Sequence, residues 1–120
     1  MNATTLAGQY FAMWNEADAD ARAAIIEKTW SPEGSFVDPS FEVSGYDGLN
    51  KLVGTAQQMF PGHTFSVTDE IDEHHNRIRW TWHLAAEGQK PVAGGTDVVT
   101  LAADGRIHEV IGFLDFAPVH

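Results

Sequence analysis

The hydrophobic pattern changes period about halfway along the chain. Over residues 4–16, Leu6, Tyr10, Met13 or Trp14, and Ala17 recur at helical spacing, with Thr4 or Thr5 available as a cap. Asp18-Ala19-Asp20 breaks and re-caps this helix. A second helix is predicted to about Trp30, with Ala21, Ala24, Ile25 and Lys28 on successive turns, stopped by Pro32 and Gly34. A short strand, Ser35-Phe36-Val37-Asp38, ends at Pro39. A third helix fits residues 46–60: Leu49, Leu52, Val53, Ala56, Met59 and Phe60 form its stripe, and Ser44 with Asp47 resembles a capping box.

Beyond Pro61-Gly62 the period falls to two. Thr64–Ile71 sets Phe65 and Val67 against polar neighbours. Asp72-Glu73-His74-His75-Asn76 reads as a polar connection. Arg77–Ala86 places Ile78, Trp80, Trp82 and Leu84 on one side, and Arg77, Arg79, Thr81 and His83 on the other. Pro91–Leu101 is the long central strand, and Gly94-Gly95 suits a bulge or a close approach. Ala103-Asp104-Gly105 is a hairpin turn, and Arg106–Phe113 the last strand. Helices first and an antiparallel meander afterwards predict an α+β fold, with three N-terminal helices on one face of a curved sheet and a pocket between.

The 120 residues fit one domain, residues 1–120, able to bury about two-thirds of its unfolded surface. There are no cysteines, which excludes disulfides, thiolate catalysis and cysteine-held zinc. Acidic residues outnumber basic ones 17 to 7, for a net charge of −10. That argues against nucleic acid and anionic membranes as partners. No signal peptide or transmembrane run is read, so a cytoplasmic protein is expected.

Three polar residues are candidates for chemistry. Asp97 lies mid-strand on the more apolar side, among Ala93, Gly95, Val99 and Leu101. A carboxylate there must be paired or protonated, unless the strand is an edge and Asp97 meets water. Asp38 shares a face with Phe36 and either looks inward or bonds to its own Asp-Pro turn. Tyr10 carries its hydroxyl into the interior along the first helix, or keeps its tip at the surface. If the three converge, one carboxylate can serve as a general base, and a protonated carboxyl beside the tyrosine makes two donors for an oxyanion. The tryptophans supply an apolar floor or plain core. The six histidines, His63, His74, His75, His83, His108 and His120, follow no metal-ligand spacing, and no metal or cofactor is expected.

The element order, with Trp14-Asn15, Phe36-Val37-Asp38-Pro39, Gly45, Pro61-Gly62-His63 and Gly95-Thr96-Asp97, resembles the nuclear transport factor 2-like superfamily. The chain looks closest there to small SnoaL-like proteins, with likeness to ketosteroid isomerases. The resemblance runs from about Leu6 to Phe116 and implies a cone-shaped, mostly antiparallel sheet capped by helices, commonly as a homodimer. Comparison with ketosteroid isomerases implies Asp38 as the base, with Tyr10 in Gln9-Tyr10-Phe11 and Asp97 as oxyanion donors. Trp14, Phe36, Phe60, His63, Trp80, Trp82 and Val99 are expected to bind the substrate.

Three functional readings follow. The first is an acid–base isomerase or cyclase acting next to a carbonyl. The second is a non-catalytic module binding an apolar small molecule. The third is an epoxide hydrolase-like enzyme, which needs an arginine between its aspartates; Arg79 is the only candidate. The outward residues Arg79, Thr81 and His83 are the expected homodimer face.

Overall fold

The computed structural model describes residues 2–117, apart from the Asp69 side chain. Its elements run α1 (Ala3–Asn15), α2 (Ala19–Thr29), β1 (Trp30–Val37), β2 (Glu42–Ser44), α3 (Gly45–Met59), β3 (His63–His74), β4 (Arg77–Ala86), β5 (Ala93–Leu101) and β6 (Ile107–Phe116). His120 lies outside the described residues.

The helix stops match the expected residues more closely than the caps do. Asn2, not Thr4 or Thr5, caps α1 by accepting the Thr5 N–H at 2.7 Å. Asp18 caps α2 through the Ala21 N–H at 2.8 Å. Ser44 holds the N-cap position of α3, but its side chain makes no capping bond. The buried face of α2 is Arg22, Ile26 and Thr29, not the expected Ala21–Ile25 stripe. The Arg22 guanidinium reaches back to the carbonyls that follow α1, and this rotates the helix by about one residue.

The six strands form one curved sheet in the order β2-β1-β6-β5-β4-β3. Every pair is antiparallel except β1 with β6. That parallel pair joins the first strand to the last and corrects the simple antiparallel meander. Register shifts at Trp30/Ser35, Val67/Ile71, Gly94/Gly95 and Thr100/Leu101 bend the sheet. β1 begins five residues earlier than expected. Its irregular start has the Trp30 indole folded over Gly34, where a β-carbon would come within 2.6 Å of the ring.

β3 also outruns its expected end. It reaches His74, and only His75 and Asn76 make the turn, with φ of 49° and 61°. Such a two-residue turn matches the twist of the strands. The charged stretch looked like a loop because β3 is an edge strand, where charge discourages further pairing.

The core fills the space between helices and sheet with Leu6, Met13, Ile26, Trp30, Leu49, Val53, Ile78, Trp80, Val99 and Val110. Among the described residues, no helix is long and apolar enough to cross a membrane.

Candidate functional site

One row of paired residues crosses the concave face of the sheet. Trp80 in β4 stands opposite Asp97 in β5, and Asp97 stands opposite Gly112 in β6. Val37 pairs with Ile111 in the parallel ladder, so Asp38, the next residue, arrives beside Gly112. Strand partners share a face. This register brings two aspartates that are distant in sequence to either side of one glycine. Tyr10 descends on this row from α1, its ring 5.1 Å from that of Trp80.

Asp97 is 3% exposed. Its Oδ2 accepts the Trp80 indole N–H at 2.9 Å. Burial pushes its carboxyl up to about 7, although the Trp80 N–H and the nearby polar edges of Trp82 and Tyr10 pull the other way. A carboxyl held there is substantially protonated at neutral pH. The Tyr10 hydroxyl is buried and completes no hydrogen bond within the protein. Burial, followed by the nearby Asp97, holds it well above the ordinary tyrosine value, so it remains a donor.

Both readings of Asp38 hold together. Oδ1 accepts the N–H groups of Ser40 and Phe41, each at 2.8 Å, closing the Asp-Pro turn. The residue also lines the cavity. Oδ2 takes no part in the turn.

The cavity has a volume of about 270 Å³ and contains Tyr10, Asp38 and Asp97 together. Of the expected binding residues, Trp14, Phe36, Phe60 and Trp82 line it; His63, Trp80 and Val99 do not. His63 turns its Nδ1 to the Pro61 carbonyl. Trp80 and Val99 are fully buried in the layer beneath. Strand alternation identifies a face, but depth along a curved face depends on what the helices cover. Phe11, Phe41, Phe65, Leu84 and Gly112 also line the cavity and were not singled out in the sequence. Met59, placed in a buried stripe, is 56% exposed at the rim.

The glycine pair in β5 has a steric origin. Trp82 lies over Gly95, where a β-carbon would meet its ring at 2.8 Å, and Phe116 covers Gly94.

Arg79 is on the outer face, opposite Val98, and pairs with Asp72 at 3.1 Å. It is not beside Asp97, so the epoxide hydrolase-like reading lacks its arginine. His74 ends β3 and His75 opens the turn, and their Nδ1 atoms are 3.1 Å apart. Among the described residues, no three His, Asp or Glu side chains cluster as a metal would need.

Solved structures share this architecture. A candidate isomerase of the SnoaL-like family from Agrobacterium tumefaciens is 39% identical, with 93% of this chain and 96% of that one covered at a TM-score of 0.89. A candidate polyketide cyclase from Sinorhizobium meliloti is 17% identical, covering 90% and 93% at 0.70. A candidate ketosteroid isomerase from Kribbella flavida is also 17% identical, covering 97% and 79% at 0.69. The last two likenesses are of fold alone. No curated protein matches the sequence. Residues 7–110 match the SnoaL-like domain, and the chain belongs to that family within the nuclear transport factor 2-like superfamily.

Proposed function

We propose that the chain is a cofactor-independent acid–base enzyme, an isomerase or cyclase acting on an apolar carbonyl compound. Asp38 takes a proton from the carbon next to the carbonyl and returns it elsewhere. Tyr10 and Asp97 donate hydrogen bonds to the oxygen as it gains charge. The observation that carries this reading is the Tyr10 hydroxyl: buried, without a protein partner, and in an aromatic cavity beside a carboxyl that burial raises to about 7, so that much of it keeps its proton at neutral pH. A buried donor left unpaired is costly, and an incoming oxygen acceptor removes that cost.

The test uses substituted phenols, which imitate an enolate oxygen. Affinity should rise with phenol acidity. It should fall about tenfold or more in Tyr10→Phe and in Asp97→Asn. Indifference to both substitutions would end the oxyanion reading. Turnover is read as solvent deuterium exchange next to the carbonyl of a bound ketone, and Asp38→Asn should abolish it. Asparagine can keep the two turn bonds, so the loss would report chemistry and not folding.

A binding module is the second reading, favoured by the engagement of Asp38 Oδ1 in its own turn. It is distinguished by ligand affinity that survives Asp38→Asn with no exchange in the wild type. In either reading we infer a cytoplasmic homodimer joined through the outer sheet face, where Phe116 packs against His83 and is 44% exposed.

A further inference from the structure

Gly112 is the gap in the row that crosses the concave face. Its neighbours in that row are large: Asp97 on one side, backed by the indole of Trp80, and Asp38 on the other. A β-carbon built on Gly112 would stand 3.1 Å from Asp97 Oδ1 and 3.3 Å from Asp38 Cβ. A methyl group would be tight against both acidic residues, and glycine leaves that space open.

The oxygens are disposed to match. Asp97 Oδ2 is occupied by Trp80, so the oxygen bordering the gap is the free one. Asp38 Oδ1 is held by the turn, which leaves Oδ2 for the cavity. A ring edge resting on Gly112 would have a free carboxyl oxygen available from each side.

Size and charge limit what can rest there. The cavity of about 270 Å³ falls just under the ~300–1,000 Å³ usual for drug-sized ligands. Among the described residues no lysine or arginine lines it, while Asp38 and the net charge of −10 disfavour an anion. Phe36, Phe65 and Trp82 are flat walls that suit a flat guest.

Resting on the proton-transfer reading above, we propose that Gly112 is a specificity-determining position. Its missing side chain forms a slot that seats the edge of a neutral, planar one- or two-ring carbonyl compound between Asp38 and Asp97. A third fused ring would have to extend beyond the slot, so larger fused-ring compounds bind more weakly.

The test is calorimetric titration of 2-naphthol and 9-phenanthrol into wild type and Gly112→Ala, with circular dichroism confirming the fold. In the wild type, 2-naphthol should bind and 9-phenanthrol should bind far more weakly. Gly112→Ala should lose about tenfold or more in 2-naphthol affinity, the scale at which one methylene in a tight pocket is felt. If that variant fails to fold, nuclear Overhauser contacts between the Gly112 α-protons and the naphthol ring in the wild-type complex decide the matter. Undiminished binding by folded Gly112→Ala, equal affinity for 9-phenanthrol, or no such contacts would overturn the slot. If Tyr10→Phe and Asp97→Asn still weaken binding, the oxyanion reading survives that failure. If no phenol binds the wild type, the oxyanion reading falls, and the slot falls with it.

Discussion

The indole N–H of Trp80 donates to Asp97 Oδ2 across 2.9 Å, and both side chains are sealed from solvent. The bond ties β4 to β5 at the point where an acidic residue interrupts the apolar side of the strand. It gives one carboxyl oxygen a partner and leaves the other at the cavity. Trp80 thus supports the acid from below instead of forming the floor a ligand would touch.

The pH dependence of stability follows from that carboxyl. Burial raises Asp97 to about 7, whereas an aspartate in an unfolded chain titrates near ~3.9. Between these values the folded state holds a proton that the unfolded chain has released. Stability from this group therefore falls as pH rises through the window, by about 4 kcal/mol once the pH is above 7. Asp97→Asn removes the titration. Urea unfolding should show the variant gaining a few kcal/mol relative to wild type between about pH 5 and pH 8. A difference that stays flat over this range would refute the assignment.

Arg22 is the second test. It is 4% exposed, and its bonds go to neutral acceptors on two segments: the Glu16 and Ala17 carbonyls after α1, and on α3 the Asn50 carbonyl and amide and the Gln57 amide. Arg22→Met should destabilise the fold by at least about 2 kcal/mol, because several buried oxygens lose their donor together. Arg22→Lys should recover only part of the loss, since an ammonium lacks the planar fork. Thermal unfolding measures both. A melting temperature unchanged in Arg22→Met would mean that water replaces the guanidinium at little cost.

The outer face supplies the third. Light scattering at micromolar concentration should return twice the chain mass of 13.2 kDa. Phe116→Glu should shift the mass toward one chain, since a charge at an apolar contact must be desolvated. A monomeric wild type would exclude this face as an interface under those conditions.

Much of the sheet was legible in the sequence, because alternation is a local signal. β4 reads Arg77–Ala86 in both sequence and structure, and the placement of Asp97 on the buried side of β5 follows from period two alone. Gly112 was not legible. Its importance comes from lying between Asp97 and Asp38, and that juxtaposition requires the parallel pairing of β1 with β6. Nothing local encodes a pairing between strands some seventy residues apart. Arg22 failed for a different reason: an arginine on a short helix reads as solvent-facing until its acceptors arrive from α3. Phe41 sits in a turn without periodicity, so no pattern marked it.

The shared guanidinium also constrains how a guest gets in. Arg22 binds α2 to the chain after α1 and to α3, while Gln57 Nε2 donates to the Trp14 and Glu16 carbonyls. Asn15 clips the end of α1 to β3 through two bonds with the Phe65 backbone. The roof is therefore a single braced plate, and no helix can swing aside without breaking several of these hydrogen bonds at once. Met59 and Phe60 at the end of α3, and Ser40 and Phe41 in the turn closed by Asp38, line the cavity away from these braces. Met59 is 56% exposed there, so its unbranched thioether can change rotamer at side-chain speed while the braced frame around it stays still.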